Sequence, residues 1–460
     1  MHEAEPLWDS SPLRLENRTF GPPPFMLGCV LELFSRTIVP DSALPQEVWE
    51  RLNPFHLLDS ADPLLWWREG NWMVGRGRLL TLQFSGSDRF SDAASTWADL
   101  SSHVTSAVSA SVQHVSESSN VIAQARVRAF SSFAFADESP TSSVIIVPEL
   151  LVGHKDGQFW ATRVWAAEDK AVEAHELELQ VKTLAAAEIA PLPDPGIALT
   201  ASPQIREDHE RAVAQALDLI SRNQLSKVVL ARTASAPAGE AFDARSVLAN
   251  LARAYPTCWV YAVDGFFGAS PETLVEVHSG HLHTRVLAGT QPRTSGDQIP
   301  VVSLMTDAKE RNEHEFAVRS VVDVLDECAT GSTVDGPKVL ELPNVWHLAT
   351  DITATLREAD LLDVVGKLHP TAAVAGVPRT AALDAISALE IEDRGRYAGP
   401  VGWLDSSDDG EWAVGIRSAQ LRGDTVTAWA GGGIVEGSVP ADEFEETEAK
   451  LAPIRDALAE

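Results

Sequence analysis

Gly431-Gly432-Gly433-Ile434-Val435, followed shortly by Asp442-Glu443-Phe444-Glu445-Glu446-Thr447-Glu448-Ala449-Lys450, is the stretch on which the reading of this chain turns. Three adjacent glycines after the apolar run 426–430 predict a strand end where backbone must approach something closely. Pro440 suits a turn or the first position of a helix, and the acidic residues behind it fall where the helix dipole favours them. On that helix Glu443, Glu446 and Lys450 stand at i, i+3 and i+7 and share one face. Two carboxylates and an ammonium beside bare backbone can hold a hard cation and an anionic ligand together. A solvated acidic helix fits the same residues.

The rest of the chain must decide between these readings. It has 460 residues, with 36 Lys and Arg against 66 Asp and Glu, for a formal charge of −30. The length allows one large elaborated domain or two to three smaller ones. So acidic a chain argues against nucleic acid and against an anionic membrane as partners. It also means that an anionic substrate needs a local positive site or a bound metal. Cys29, Cys258 and Cys328 are widely spaced with no CxxC pair, which fits a reducing compartment. The first residues carry no basic-then-apolar leader pattern, and no apolar run approaches the roughly 18 residues that span a bilayer. A soluble cytoplasmic protein is expected.

Residues 22–24, three prolines, predict a turn, and the runs around Trp66-Trp67 and 79–84 predict strands. Apolar spacing over 93–115 predicts a helix, and 129–135 and 143–147 predict strands with which 158–166 is expected to pair. The segment 190–196, Ala-Pro-Leu-Pro-Asp-Pro-Gly, is the clearest linker, read as a surface connection within one body rather than a domain boundary. Residues 1–200 are thus expected to add strands and helices to a catalytic region over 201–460. Beyond the linker, 208–223 and 309–325 predict amphipathic helices, and 227–232, 258–263, 274–278, 412–417 and 425–430 predict strands.

No P-loop, GxGxxG after a strand, HExxH or GxSxG occurs, so a catalytic site has to be assembled from distant residues. Lys227 opens an apolar strand, where desolvation makes a lysine a usable general base; a lysine snorkelling at a sheet edge fits equally. Glu272, in Gly268-Ala269-Ser270-Pro271-Glu272, can serve as a general acid or lie solvated in a turn. Glu310 and Glu313 lie three apart on a helix and can face a metal, or pair with Lys309 and Arg311. Arg417 interrupts an apolar strand and needs a partner, for which a substrate carboxylate qualifies. His347 suits a core position as well as a site.

Taken in order, these segments resemble the chorismate-utilising enzymes, the family of isochorismate, salicylate and anthranilate synthases. The resemblance rests on the Lys227 strand, Ser270-Pro271-Glu272, Leu287-Ala288-Gly289-Thr290 and Lys309-Glu310-Arg311-Asn312-Glu313-His314. It continues through Trp346-His347, His369-Pro370-Thr371-Ala372-Ala373, Tyr397-Ala398-Gly399, Ile416-Arg417 and the 431–450 stretch, and so covers about 205–455. It implies an α+β fold, two large mostly antiparallel sheets packed as a sandwich with helices outside and the site in the cleft between them.

The resemblance also implies roles. The substrate is chorismate and the cofactor Mg²⁺, with Glu313 and Glu446 as metal ligands and Glu310 and Glu443 behind them. Arg417 and Tyr397 match the enolpyruvyl-carboxylate site, while Lys450 and the backbone of Gly431, Gly432 and Gly433 match the ring-carboxylate site. Gly289, Thr290, His347 and Ala373 complete the substrate surroundings. Lys227 matches the base that activates water and Glu272 the acid that protonates the departing hydroxyl. Ammonia-using members lack this lysine, so no glutaminase subunit is expected, and the protein is expected as a monomer or homodimer. Ala373, where salicylate synthases usually carry threonine, points to the isochorismate-forming branch, and 371–376 with Tyr397 most resembles menaquinone-pathway members over siderophore-pathway ones.

Overall fold

The computed structural model describes residues 19–20, 31–41, 43–108, 125–167, 169–200, 203–239, 242–292, 301–341, 345–357 and 360–459. A 10-stranded and a 12-stranded sheet build the body. Among the described residues only two pairings are parallel, Thr19–Phe20 with Leu80–Phe84 and Leu33–Ile38 with Val104–Val108. Between the sheets lies an apolar layer of Trp66, Tyr261 and Phe266 from the larger sheet and Phe130, Trp403 and Ala413 from the smaller. Tyr261, Phe266 and Phe130 are essentially fully buried, and each such side chain contributes about 1.5–3 kcal/mol. Helices close the outer faces: Ala244–Ala254 and Pro440–Ala459 bury Leu251 and Leu451 on the larger sheet, and Arg89–Ser102 and Leu361–Leu368 bury Trp97 and Leu362 on the smaller. This is the α+β sandwich that the motif order implied.

The two sides of the 190–196 connection interleave. The strand Pro400–Asp405 pairs with Arg128–Ser132, and Trp259–Val263 pairs with Leu64–Arg68. Residues before and after the connection therefore share both sheets. Among the described residues no helix is long and apolar enough to cross a membrane.

Four expectations need correction. The helix over 93–115 ends at Ser102, and the chain turns at His103 into the strand Val104–Val108; 109–115 lie outside the described residues, as do 22–24. The strand Gln158–Ala166 pairs with Leu33–Ile38 and Leu150–Lys155 in the larger sheet, not with the strands at 128–132 or 143–147. The glycines do not follow a strand end: Thr425–Ile434 runs through all three, and its alternation of covered and open positions stops at Ala430, where the C-terminal helix covers it. The predicted strand 412–417 is broken, because the chain leaves one sheet after Val414 and enters the other at Ser418.

Candidate functional site

Two chain crossings between the sheets carry the central residues. Phe266–Ser270 lies in the larger sheet and Thr273–His278 in the smaller, so Pro271-Glu272 bridges them. Gly410–Val414 lies in the smaller sheet and Ser418–Arg422 in the larger, so Gly415-Ile416-Arg417 bridges them in the opposite direction. Ser270 ties the crossings together: its hydroxyl donates to Val414 O at 2.6 Å and accepts from Glu272 N at 3.2 Å, while Val414 N donates to Glu272 O at 3.0 Å. Arg417 makes the turn with φ +52°, a left-handed conformation costly for a residue with a long side chain. Gly268 permits it, since a Cβ there would lie 2.6 Å from Arg417 O.

Burial pushes the Glu272 carboxyl up to about 7, while the positive charges of Arg417, Lys227 and Lys450, in that order, pull the other way. One carboxyl thus sits among three cations and still holds its proton near neutrality, because desolvation outweighs them. Among the described residues Arg417 has no hydrogen bond or ion pair to another side chain, so its guanidinium is available to an anion.

The strand Lys227–Pro237 runs antiparallel to the glycine strand, pairing Val229 with Gly433, Leu230 with Gly432 and Ala231 with Gly431. Val229 N donates to Ala375 O and Ala231 N to the Glu390 carboxylate, both away from the glycines. The alternation of an antiparallel ladder therefore commits Gly432 to Leu230 and turns the peptide groups of Gly431 and Gly433 away from that strand. Gly431 O accepts from Lys450 Nζ at 2.9 Å, and Gly431 N–H meets the Tyr397 phenol. Each missing side chain also makes room for one functional group. Added Cβ atoms would stand 3.1 Å from the Tyr397 hydroxyl at Gly431, 3.1 Å from Glu443 Oε2 at Gly432 and 3.0 Å from Lys227 Cε at Gly433.

Tyr397 is buried and stacks on Trp429 with ring centroids 6.3 Å apart; burial raises its phenol above the usual value. Burial, opposed by Glu446 and reinforced by Arg417, holds the Lys450 ammonium below its ordinary value. Lys450 Nζ lies 2.6 Å from Glu446 Oε1. Glu443 is pushed up by burial and by Glu446, with Ser438 opposing through a hydrogen bond. Its Oε2 is buried and has no hydrogen-bond partner among the described residues. An orphaned carboxylate oxygen one helical turn from a second carboxylate suits a hard divalent cation, which would supply the missing partner and offset the mutual repulsion.

Gly289, Thr290, His347, Glu310 and Glu313 form a second group. Gly289 has φ +77°, and a Cβ there would lie 2.9 Å from Glu310 O, so this glycine lets the strand His281–Pro292 approach the helix Ala308–Cys328. His314 fastens the same junction, from Nδ1 to Ala288 O at 3.0 Å and from Nε2 to Thr350 Oγ1 at 2.6 Å. Half-buried His347 stands opposite Thr290 in the ladder. The side chains of Thr290 and Glu313 lie outside the described residues. A cavity beside Glu272 is lined by Thr371, Ala373, Leu287, Ser320 and Val321; none of the second group's five residues lines it.

Sequence reasoning passed over Arg394. It is buried, pairs with Glu390 at 2.6 Å, and donates to Val374 O and Val229 O at 2.8 Å each. It thereby ties the Ala373 turn to the Lys227 strand and lies against the Tyr397 ring. The signal was available: Glu390 and Arg394 are spaced i, i+4 just ahead of Tyr397.

Residues 45–459 match the family model described as chorismate binding enzyme. Isochorismate synthase MenF of Bacillus subtilis is 37% identical over 262 residues, 55% of this chain and 56% of that protein. A Mycobacterium tuberculosis protein provisionally named as an isochorismate synthase MenF is 39% identical over 289 residues, 58% of this chain and 77% of that one. The menaquinone-specific isochorismate synthase MenF of Escherichia coli superposes with a TM-score of 0.71 at 24% identity, covering 94% of this chain and 97% of that structure. From the family match over nearly the whole chain, this protein belongs to the chorismate-binding enzymes.

Proposed function

We propose that this protein is a magnesium-dependent isochorismate synthase acting in the cytoplasm in menaquinone formation, without a glutaminase subunit. The observation that carries the reading is Glu272, a carboxyl raised to about 7 in the midst of Arg417, Lys227 and Lys450. Such a site binds a dianion and retains a proton to give away.

Chorismate presents two carboxylates. Arg417, with Tyr397 beside it, receives the enolpyruvyl carboxylate; Lys450 and the outward-turned peptide group of Gly433 receive the ring carboxylate. Glu313 of the helix Ala308–Cys328 and Glu446 of the C-terminal helix, with Glu310 and Glu443 behind them, would hold magnesium. When bound, the metal supplies positive charge to the ring carboxylate. Lys227, in its unprotonated form, takes a proton from water as the water oxygen bonds to ring carbon 2. The ring double bonds shift, the bond from carbon 4 to its hydroxyl breaks, and Glu272 delivers its proton so that water departs. Lysine ends protonated and glutamate ionised, and exchange with solvent resets both. Hydroxide leaves poorly without an acid, which is why the raised Glu272 matters more than any single cation.

Ala373, lining the same cavity as Glu272, supports release of isochorismate without pyruvate loss. The MenF names of the Bacillus subtilis and Mycobacterium tuberculosis relatives support the menaquinone assignment. Incubation of the pure protein with chorismate and Mg²⁺, followed by proton NMR, is expected to show isochorismate. Salicylate and pyruvate as main products would overturn the reading, and menaquinone levels unchanged on gene deletion would overturn the pathway.

A further inference from the structure

A second cavity, of about 320 Å³, lies against the 190–196 connection and has no part in the chemistry above. Three arginines reach it in a chain of net charge −30: Arg51, Arg76 and Arg245. Arg245 is committed to Asp243 through a paired contact at 2.9 and 2.5 Å. Arg51 and Arg76 have no carboxylate ion pair among the described residues; Arg76 donates to Leu57 O at 2.6 Å. Burial, with Arg245 adding to it and Asp59 opposing, holds the Arg76 guanidinium below its ordinary value. A bound anion would relieve that.

His56 adds a more specific mark. Its Nε2 lies 2.9 Å from Ala190 O, a carbonyl, so Nε2 carries the hydrogen and donates. Its Nδ1 is buried with no hydrogen-bond partner among the described residues. In the charged ring that nitrogen becomes a donor, which an anion's oxygen satisfies. Leu57, Leu184 and Ile189 give the cavity apolar lining, and exposed Glu188 also borders it. The volume falls at the lower end of those that enclose small-molecule ligands.

We propose that this cavity is a binding site for a small amphipathic carboxylate, its carboxylate held by Arg51, Arg76 and His56 and its ring or chain laid on Leu57, Leu184 and Ile189. The cationic groups choose the charge, and the apolar wall chooses an organic acid over an inorganic anion. The helix Ala244–Ala254, which carries Arg245, packs against the strand Phe266–Ser270, and the next two residues are Pro271 and Glu272. The cavity therefore stands one helix away from the crossing that holds the catalytic acid.

Isothermal titration calorimetry of the full chain with 1-naphthoate, inorganic phosphate and the neutral 1-naphthylmethanol tests this. Saturable binding of 1-naphthoate with one site outside the catalytic cleft is expected, retained in Arg417→Ala and weakened about tenfold or more in Arg51→Glu. Arg51 is exposed, so its variant is expected to fold and to turn over chorismate as the wild type does without naphthoate. Absence of saturable binding, or affinity unchanged by Arg51→Glu, would sink the site. Loss of binding in Arg417→Ala but not in Arg51→Glu would assign the ligand to the catalytic cleft instead. Phosphate or the neutral alcohol binding as tightly as naphthoate would overturn the ligand class.

Discussion

Replacing Glu272 with glutamine removes the proton donor while keeping the shape of the side chain. A carboxyl moved from its ordinary 4.5 to about 7 carries about 3 kcal/mol of preference for the neutral form. At pH 7 about half of the molecules hold the proton, against ~0.3% for an ordinary glutamic acid. Wild-type kcat/KM is therefore expected to fall on the alkaline side with a midpoint near 7. In Glu272→Gln the limb should vanish and kcat drop by about 10²–10⁴. Stability gives an independent measurement. Between 4.5 and 7 the folded protein binds more protons at this position than the unfolded chain. The contribution is thus complete below 4.5 and is lost as pH rises through 7. Denaturant titrations of wild type and variant across pH 4 to 8 are expected to shift in the variant's favour with rising pH, by up to about 3 kcal/mol. A carboxyl NMR titration of Glu272 in Arg417→Gln should move upward, since Arg417 is the strongest of the cations lowering it. A difference in stability flat across that range, together with an alkaline limb that survives in Glu272→Gln, would refute the role given to this carboxyl.

Lys227→Ala is expected to cut kcat by about 10²–10⁴ while chorismate binding by calorimetry stays nearly unchanged, because a base acts mainly in the transition state. Glu446→Gln should raise the Mg²⁺ concentration for half-maximal activity by about 10- to 100-fold; an unchanged magnesium titration would remove this residue from the metal site. Gly433→Ala and Gly376→Ala separate function from folding. At Gly433 the new Cβ meets the flexible end of Lys227 at 3.0 Å, so activity should fall with little change in melting temperature. At Gly376, with φ +146°, it meets Lys227 O at 2.2 Å, and backbone must move, costing about 1–3 kcal/mol of stability by urea denaturation.

Periodicity placed the long helices and the Lys227 strand, because a single face of each is buried against one sheet and the pattern is local. It could not assign 158–166 to a sheet, since continuous burial leaves no alternation to match against a partner. Arg417 was legible as an anomaly, a charge in an apolar run. What was not legible is that the run breaks there, because a sheet-to-sheet crossing leaves no period of its own. The three glycines were read as bare backbone for an anion, but their spacing also serves Tyr397, Glu443 and Lys227, one each, which only the register reveals. Read locally, Glu272 fitted a general acid and a solvated turn carboxylate alike, and only the order of motifs favoured the acid. Its raised proton affinity depends on burial contributed by distant segments, and no local pattern encodes that.

The two crossings have a mechanical meaning. Glu272 and Arg417 are attached to neither sheet alone; each rides on a tie between them, and the ties run in opposite directions. The ties are also fastened to each other, by Ser270 to Val414 and by Val414 to Glu272, so a shift of one layer past the other carries the proton donor and the carboxylate anchor along together. The sandwich is thus sewn by a double seam, and both side chains are mounted on that seam rather than on separate layers. Repacking Tyr261 or Phe266 in the layer between the sheets would tug at that seam directly, since Tyr261 donates to Ile416 O at 3.5 Å and Phe266 lies against Gly415.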